Sequence, residues 1–246
     1  HIMKHLYWFN DYFLKSTFRN SRGEVVAFNY QVGNGDVDHS VWGPPELMTH
    51  RRGAMFATAE SPASDQAAGA AAALAAMSVL TTEEDPEYSE RCLETAQALY
   101  RFAVANRGLG FSGGYYGSSY DEDEMSWAAV WLYAATRTES YLTDIVSHTD
   151  AGVYDGYLAK IVKDRGNTWQ NIWVHSWDTV WGGVFAMLAP LSKGVIDDSY
   201  NAEYWYYFRW NVEYWSAGAV PHMGNSSGDS YIAASPAGFS VINTWG

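Results

Sequence analysis

The longest run of titratable side chains in the sequence is the acidic series from Asp121 to Glu124. Adjacent carboxylates raise one another's pKa, which is one condition for general acid catalysis. The run also directly precedes an apolar helical pattern, and carboxylates at such a position ordinarily cap the helix and interact with its dipole. The residues alone leave both interpretations open.

A second candidate site lies in the stretch between residues 18 and 60, where Gly, Asn, Asp and Pro recur too often for a long helix. Ordered loops of this length in compact domains are usually functional, so we expect residues 30–50 to belong to a site. His39 and Trp42 occur in this stretch. A flat ring can stack on the apolar face of a pyranose and an imidazole can bond a hydroxyl group, but an isolated His and Trp more often form a core pair.

Aromatic side chains are unusually abundant, with 12 Trp, 18 Tyr and 10 Phe. So many rings indicate stacking surfaces. Tyr115, Tyr116 and Tyr120 lie in a glycine-flanked loop before the acidic run, where they could line a binding surface or pack beneath the loop. Trp127 and Trp131 are embedded in an apolar helical pattern and are expected in the core.

Charge and composition exclude several classes of partner. The formal net charge is −13, which would repel a nucleic-acid backbone. No apolar run reaches the roughly 18 to 20 residues that a membrane span requires. Cys92 is the single cysteine and is expected to be a small core residue. Residues 1–3 resemble a remnant of an expression vector, and no signal peptide is recognisable in the chain.

The periodicity predicts an all-α protein of about seven helices joined by long loops, with no convincing strand series. Apolar helices alternate with an amphipathic one, the pattern of two concentric helical rings, and we expect one domain over residues 1–246. Ser61 or Ser64 is the expected N-cap of the Ala-rich helix, and Asp85 that of the next. The predicted helices cover about 6–16, 64–80, 86–107, 121–135, 139–147, 178–189 and 200–215, with a weaker pattern at 153–163.

Five blocks of sequence occur in the order typical of one family of glycosidases. The chain resembles glycoside hydrolase family 9 in these blocks. They are Gln31–Gly35 with Asp38-His39, Trp42 and Pro45-Glu46; Ser61–Ala68; Asp123–Tyr133; His175–Asp178 with Gly182-Gly183; and Ser235–Gly238 through Thr244–Gly246.

The resemblance implies an (α/α)6 toroid, here incomplete, that cleaves β-1,4-glucans with inversion. Inversion requires an acid and a base about 6.5–9.5 Å apart with a water molecule between them. The family's base motif would precede the first helix of this chain and its acid motif would follow Trp245-Gly246. We therefore expect no catalytic residue within the chain. Asp150–Asp155 echoes the base motif but stands in the wrong order, and we interpret it as a polar loop.

The resemblance also implies site residues. It places His39 and Trp42 in the glucan-binding cleft, where Tyr115, Tyr116 and Tyr120 could line subsites and Trp177 is the matching ring on the other side. It implies a structural calcium ion, a hard cation that prefers oxygen ligands, bound by Ser119, Asp123, Glu124 and Asp178. No cofactor is expected for the chemistry itself.

The leading hypothesis is a secreted cellulase-type hydrolase of β-1,4-glucan or cello-oligosaccharides, of which this chain is a central portion. One alternative is a non-catalytic glucan-binding or scaffold remnant. Another is a different toroidal glycosidase or an isomerase that uses carboxylates such as Asp36 or Asp38. Apolar helix faces left uncovered in an incomplete toroid would favour self-association.

Overall fold

The computed structural model describes residues 1–111, 117–162, 178–215, 232–234 and 240–242. The chain divides into two compact units, His1–Tyr141 and Leu142–Gly246. Within the described residues, no helix is both long and apolar enough to cross a membrane.

The first unit combines helices with a small antiparallel sheet. Pro45–Leu47 forms a short 3-10 helix. The other elements, in chain order, are α1 (Ile2–Ser16), β1 (Thr17–Arg19), β2 (Val25–Val32), α2 (Gly35–His39), β3 (Ala54–Ala57), α3 (Ser64–Thr81), α4 (Pro86–Ala105) and α5 (Glu122–Thr136).

The core of this unit forms around the Ala-rich helix α3, which packs against α1, α4 and α5. Its small side chains are buried along most of the helix and let the neighbouring helices approach closely. Asp85 caps α4 as predicted, because its carboxylate accepts a hydrogen bond from the Tyr88 amide at 3.2 Å. The predicted stripe of α4 is buried too, including Cys92.

The expectation of a strand-free chain is wrong. Residues 17–57 contain a three-stranded antiparallel sheet in the order β1-β2-β3. The β2 sequence is rich in β-branched and aromatic residues, but its register shifts between Asn29 and Gln31, so its buried residues do not alternate regularly. This bulge at Tyr30 conceals the two-residue period by which strands are recognised.

Two predicted helix starts also differ from the structure. Neither Ser61 nor Ser64 caps α3, since the N-cap position is Ala63 and Ser64 is the first helical residue. Asp121 occupies the N-cap position of α5, but its side chain makes no capping hydrogen bond. The side chains of Ser64 and Asp121 make tertiary contacts instead, which are described with the site below.

Trp127 and Trp131 are only half-buried, so their placement wholly in the core is wrong. Their rings meet edge to face at 5.5 Å on one side of α5. Trp131 also lines an apolar groove of about 420 Å³ with side chains of α1 and α3. One face of the apolar helix α5 is therefore incompletely covered.

The second unit is built mainly around one helix pair. Helix α7 packs against α8, and the Phe185 and Tyr207 rings lie 5.1 Å apart. The weaker helical pattern at 153–163 corresponds only to a 3-10 turn at Tyr157–Lys160. A helix α6 (Ser140–Val146) spans the boundary of the units, and the remaining elements are α7 (Trp181–Leu191), α8 (Asp198–Trp215), β4 (Ile232–Ala234) and β5 (Ser240–Ile242).

Candidate functional site

The loop between β2 and β3 is fastened at its base by one carboxylate. Asp38, near the end of α2, accepts a hydrogen bond from His50 Nε2 at 2.6 Å and forms an ion pair with Arg52 Nη2 at 3.0 Å. The amide of Gly33 also donates to the Gly53 carbonyl at 2.8 Å. We call the Asp38, His50 and Arg52 cluster the loop clasp. The loop clasp joins the two sides of this loop, and His39 and Trp42 lie between Asp38 and His50 in the chain.

Gly33 is required beside the loop clasp. Its φ of +108° lies in the region that favours glycine. A Cβ at this position would lie 2.5 Å from Asp38 Oδ2 and 2.6 Å from Arg52 Nη2. The glycine of the first sequence block therefore has a steric explanation, since a larger residue at position 33 would displace the ion pair.

His39 and Trp42 both lie on the exposed surface of this loop. The Trp42 side chain is fully exposed, at 104% of its reference area. His39 donates from Nδ1 to the Gly35 carbonyl at 2.7 Å, which orients the ring. The structure thus leaves two of the predicted binding residues, three positions apart in the chain, exposed on one loop.

A second loop is anchored on the sheet through Tyr30. The bulge in β2 occurs at this residue, and its hydroxyl accepts a hydrogen bond from the Phe111 amide at 3.1 Å. Bulges often redirect side chains in this way. The strand that leads to the Trp42 loop therefore also holds the segment that precedes Tyr115, Tyr116 and Tyr120.

Asp65 binds both ends of that segment. The residue is 1% exposed. Its Oδ1 accepts a hydrogen bond from the Gly110 amide at 2.8 Å, and its Oδ2 accepts one from the Ser118 hydroxyl at 2.7 Å. A third donor is the side-chain amide of Gln66, at 3.0 Å from Oδ2. The carboxylate is thus saturated by three donors.

Asp121 forms the neighbouring polar connection. Its carboxylate binds the Arg107 guanidinium through two hydrogen bonds, of which Nε to Oδ2 measures 2.6 Å, and it accepts a further bond from Ser64 Oγ. Burial opposes ionisation of Asp121 most strongly, but the donors Arg107 and Ser64 outweigh it and hold its pKa below the ordinary value. The first residue of the acidic run is therefore a structural anion, which argues against its use as a general acid.

Asp123 and Glu124 are the two members of the acidic run that the resemblance assigns to calcium. Asp123 is fully buried. Burial, followed by the charge of Asp123, raises the pKa of Glu124 well above its usual range. Among the described residues, Glu124 Oε2 is buried and has no hydrogen-bond partner. Two adjacent buried carboxylates with an unsatisfied oxygen suit a hard cation, which would relieve their repulsion.

The remaining predicted calcium ligands are less closely defined. Ser119 is exposed just before α5. Asp178 belongs to the second unit and lies shortly before α7. The described part of the chain contains no group of three or more His, Cys, Asp or Glu side chains arranged to hold a metal ion. The four-residue calcium site therefore stays a prediction.

The other predicted binding residues differ in what can be said of them. Tyr120 is half-buried immediately before α5. Tyr115, Tyr116 and Trp177 lie outside the described residues. Their assignment to a glucan-binding surface stays a prediction.

The sequence that echoes the base motif forms a polar turn. Asp155 accepts a hydrogen bond from the Ser147 hydroxyl at 2.6 Å. Gly152 adopts a φ of +78° in the turn, and Tyr154 beside it is buried. Asp155 has a structural role here, which agrees with the interpretation of 150–155 as a polar loop.

Sequence reasoning missed the residues that hold the two loops: Asp65, His50, Arg52, Arg107 and Tyr30. No local signal predicts the contacts of Asp65, because its partners lie 45 and 53 positions away. A usable signal exists for the loop clasp, since His50 and Arg52 follow Asp38 across a single turn-rich loop that returns to the next strand.

Comparison with known proteins identifies the family. A model of glycosyl hydrolase family 9 matches residues 1–246, and the chain belongs to this family. It is 32% identical to Endoglucanase 7 of Oryza sativa subsp. japonica over 252 residues, which cover 100% of this chain and 44% of the relative. It is 31% identical to Endoglucanase B of Cellulomonas fimi, where the match covers 100% of this chain and 21% of the relative.

Solved structures confirm the expected fold class. The catalytic domain of Clostridium thermocellum CelT matches with a TM-score of 0.73 at 33% identity, over 97% of this chain and 47% of that domain. The cellulase Cel9M of C. cellulolyticum, solved in complex with cellobiose, matches with a TM-score of 0.66 at 31% identity, over 86% of this chain and 44% of that one. The chain thus has part of the family's (α/α)6 fold and spans less than half of the length of each of these relatives.

Proposed function

We propose that this chain is the glucan-binding part of a cellulase-type catalytic module that hydrolyses β-1,4-glucosidic bonds with inversion. The family and the endoglucanase names of its relatives support the reaction class. The cellobiose bound to the related Cel9M supports the substrate class. The observation that carries the proposal is the full exposure of Trp42 on a loop fastened by Asp38.

Exposure of a tryptophan costs free energy because its large apolar surface remains in water. The ion pair closes the base of the loop. The Trp42 ring therefore loses less conformational entropy on binding than it would on a free loop. A pyranose offers an apolar C–H face to such a ring. The adjacent His39 supplies a polar ring for hydroxyl groups, so the pair suits a carbohydrate better than a wholly apolar ligand.

We also propose that the acid and the base of hydrolysis are not among the residues of this chain. Two carboxylates that could compete for these roles are occupied: Asp38 by His50 and Arg52, and Asp121 by Arg107. A base that activates water must have a lone pair directed at that water. The rival interpretation in which Asp38 is a catalytic carboxylate is therefore disfavoured by its contacts.

Hydrolysis tests this part of the proposal. The 246-residue chain is incubated with carboxymethylcellulose and the released reducing ends are measured against a blank. We expect no release above the blank. Clear release would show that an acid and base pair exists within the chain, and Asp36→Ala and Asp38→Ala would then test the rival interpretation.

We further propose that calcium binds at the start of α5, with Asp123 and Glu124 supplying carboxylate oxygens and Ser119 a further oxygen. The unsatisfied Glu124 Oε2 supports it. The ion would be structural: it would bind both carboxylates and fix the start of the helix.

We propose that the intact enzyme is secreted, because a polymeric glucan cannot enter a cell. Fractionation of the native source would test this.

We also propose that the isolated chain self-associates, because the apolar groove lined by Phe9, Leu80 and Trp131 would favour it. Sedimentation of the chain over a range of concentrations measures this, and a single compact monomer at all of them would contradict it.

A further inference from the structure

Asp65 is a buried carboxylate that accepts three hydrogen bonds, and the proposed reaction does not use it. It lies in the first turn of α3 and is 1% exposed. A buried carboxylate is costly unless donors compensate for lost hydration, so its presence requires an explanation. Its three donors supply the compensation, and two of them belong to the segment that joins α4 to α5.

The two bonds from this segment differ in kind but reach one side chain. Gly110 donates a backbone N–H to Oδ1, and Ser118 donates a hydroxyl to Oδ2. The Gly110 backbone and the Ser118 side chain are therefore held at the same carboxylate before any ligand arrives. Helix α3, which is buried at the centre of the unit, is a rigid support for that group.

The contacts beside Gly110 show that the segment lies directly on α3. A Cβ on Gly110 would lie 3.0 Å from Gln66 Cγ and 3.3 Å from Ala63 Cβ. The next residue, Phe111, is 63% exposed while its amide is bonded to Tyr30. The backbone is therefore held at two successive amides, those of Gly110 and Phe111, and the Phe111 ring is exposed to solvent.

We infer that Asp65 is a positioning residue for glucan binding: by holding Gly110 and Ser118 it fixes Phe111 and Tyr120, and Phe111 is an aromatic contact for the glucan that the sequence did not reveal. This inference rests on the proposed function. It assigns no chemistry to Asp65, which does not face the ligand. Phe111 and Tyr120 are the described aromatic residues next to the two bonded positions.

The experiment compares three variants of the full chain. Asp65→Ala removes both bonds, and Ser118→Ala removes one of them. Ser78→Ala is the matched control, because Ser78 is also buried on α3 but its hydroxyl bonds only to the Ala75 carbonyl of the same helix. Two readouts are recorded: hydrogen exchange of the Gly110 and Phe111 amides, and the dissociation constant for cellohexaose.

In Asp65→Ala we expect the Gly110 amide to exchange about tenfold faster or more, since a bond to a charged acceptor is lost. We expect cellohexaose to bind about fivefold more weakly or worse, because the loop must then be ordered on binding. Ser118→Ala is expected to weaken binding about twofold to threefold, because one hydrogen bond from a neutral donor makes a small net free-energy contribution. Ser78→Ala is expected to leave both readouts at the wild-type values.

A wild-type exchange rate for Gly110 in Asp65→Ala would overturn the inference, and so would faster exchange without weaker binding. If Asp65→Ala does not fold, Ser118→Ala decides: binding unchanged from wild type would overturn the inference. Phe111→Ala tests the contact itself and should weaken binding about fivefold without changing Gly110 exchange, in the range measured for single stacking contacts. If the wild-type chain does not bind cellohexaose, the proposed function fails and the glucan role of Asp65 fails with it, while the exchange data still report whether Asp65 fixes the segment.

Discussion

Nε2 of His50 lies 2.6 Å from Oδ1 of Asp38, and the chain between them carries the fully exposed Trp42. This one contact connects a sequence block of the family to a physical task. The carboxylate closes the base of a loop, and it also binds Arg52. In the proposed function, Asp38 would therefore act on the glucan only through Trp42.

Replacement of Asp38 by Ala should weaken cello-oligosaccharide binding about threefold to tenfold, the equivalent of about 1 kcal/mol. The reason is that the loop clasp loses its only anion and the Trp42 loop must be ordered by the ligand. Calorimetric titration with cellohexaose measures the change. Glu46→Ala is the control, since Glu46 is an exposed carboxylate of the same loop. Equal binding by Asp38→Ala and the wild type would show that the clasp does not support the site.

Replacement of Trp42 by Ala should reduce cellohexaose binding at least about tenfold, because a stacking surface is lost. The melting temperature should hardly change, since a side chain exposed at 104% contributes little burial. Trp8→Ala is the matched control, as Trp8 is 69% exposed on α1 and lies away from the loop in sequence. Loss of binding in both variants, or in neither, would contradict the role given to Trp42.

Calcium should raise the thermal stability of the chain, and a chelator should lower it again. The cation would bind the carboxylates of Asp123 and Glu124 together and displace the proton that the raised pKa of Glu124 otherwise retains. At a free concentration about one hundred times Kd, one bound ion adds about 2.7 kcal/mol. Thermal melts with calcium, magnesium or chelator measure this. The double variant Asp123→Asn and Glu124→Gln should lose the calcium response, and a response equal to that of the wild type would place the ion elsewhere.

Cys92 should not react with a thiol reagent in the folded protein at neutral pH. Burial raises the pKa of its thiol from 9.0 to about 11, and the side chain has no exposed area. Because the folded pKa is raised, stability from this group is fully present below pH 9 and declines as pH rises from about 9 towards 11, where the unfolded thiol ionises first. Reaction with Ellman's reagent, with and without denaturant, reports on this single cysteine. Rapid stoichiometric labelling of the native chain would contradict the buried position.

The helices were predictable because their signals are local. Asp85 caps α4, and the apolar stripe from Tyr88 to Ala103 repeats at helical spacing and is buried. The Ala-rich pattern of α3 likewise predicts a central helix with close neighbours. The family blocks then define the fold, since five short motifs occur in a fixed order.

The sheet and the polar connections were not predictable from these signals. The bulge at Tyr30 disrupts the alternation of β2, and a strand without its period resembles a loop. The Asp65 and Asp121 contacts depend on tertiary structure, because Ser64 and Asp121 are 57 positions apart. Side chains that would cap a helix in isolation are diverted to these contacts, so local capping rules identify the wrong role for Ser64 and Asp121.

The central claim is that this chain binds β-1,4-glucan but does not cleave it. Titration of the chain with cellohexaose in a calorimeter tests both parts at once. We predict heats that saturate with binding and then return to the baseline, and their loss in Trp42→Ala. A steady heat that persists after saturation would reveal turnover and contradict the account, and the absence of any binding heat over a range of temperatures would contradict it equally.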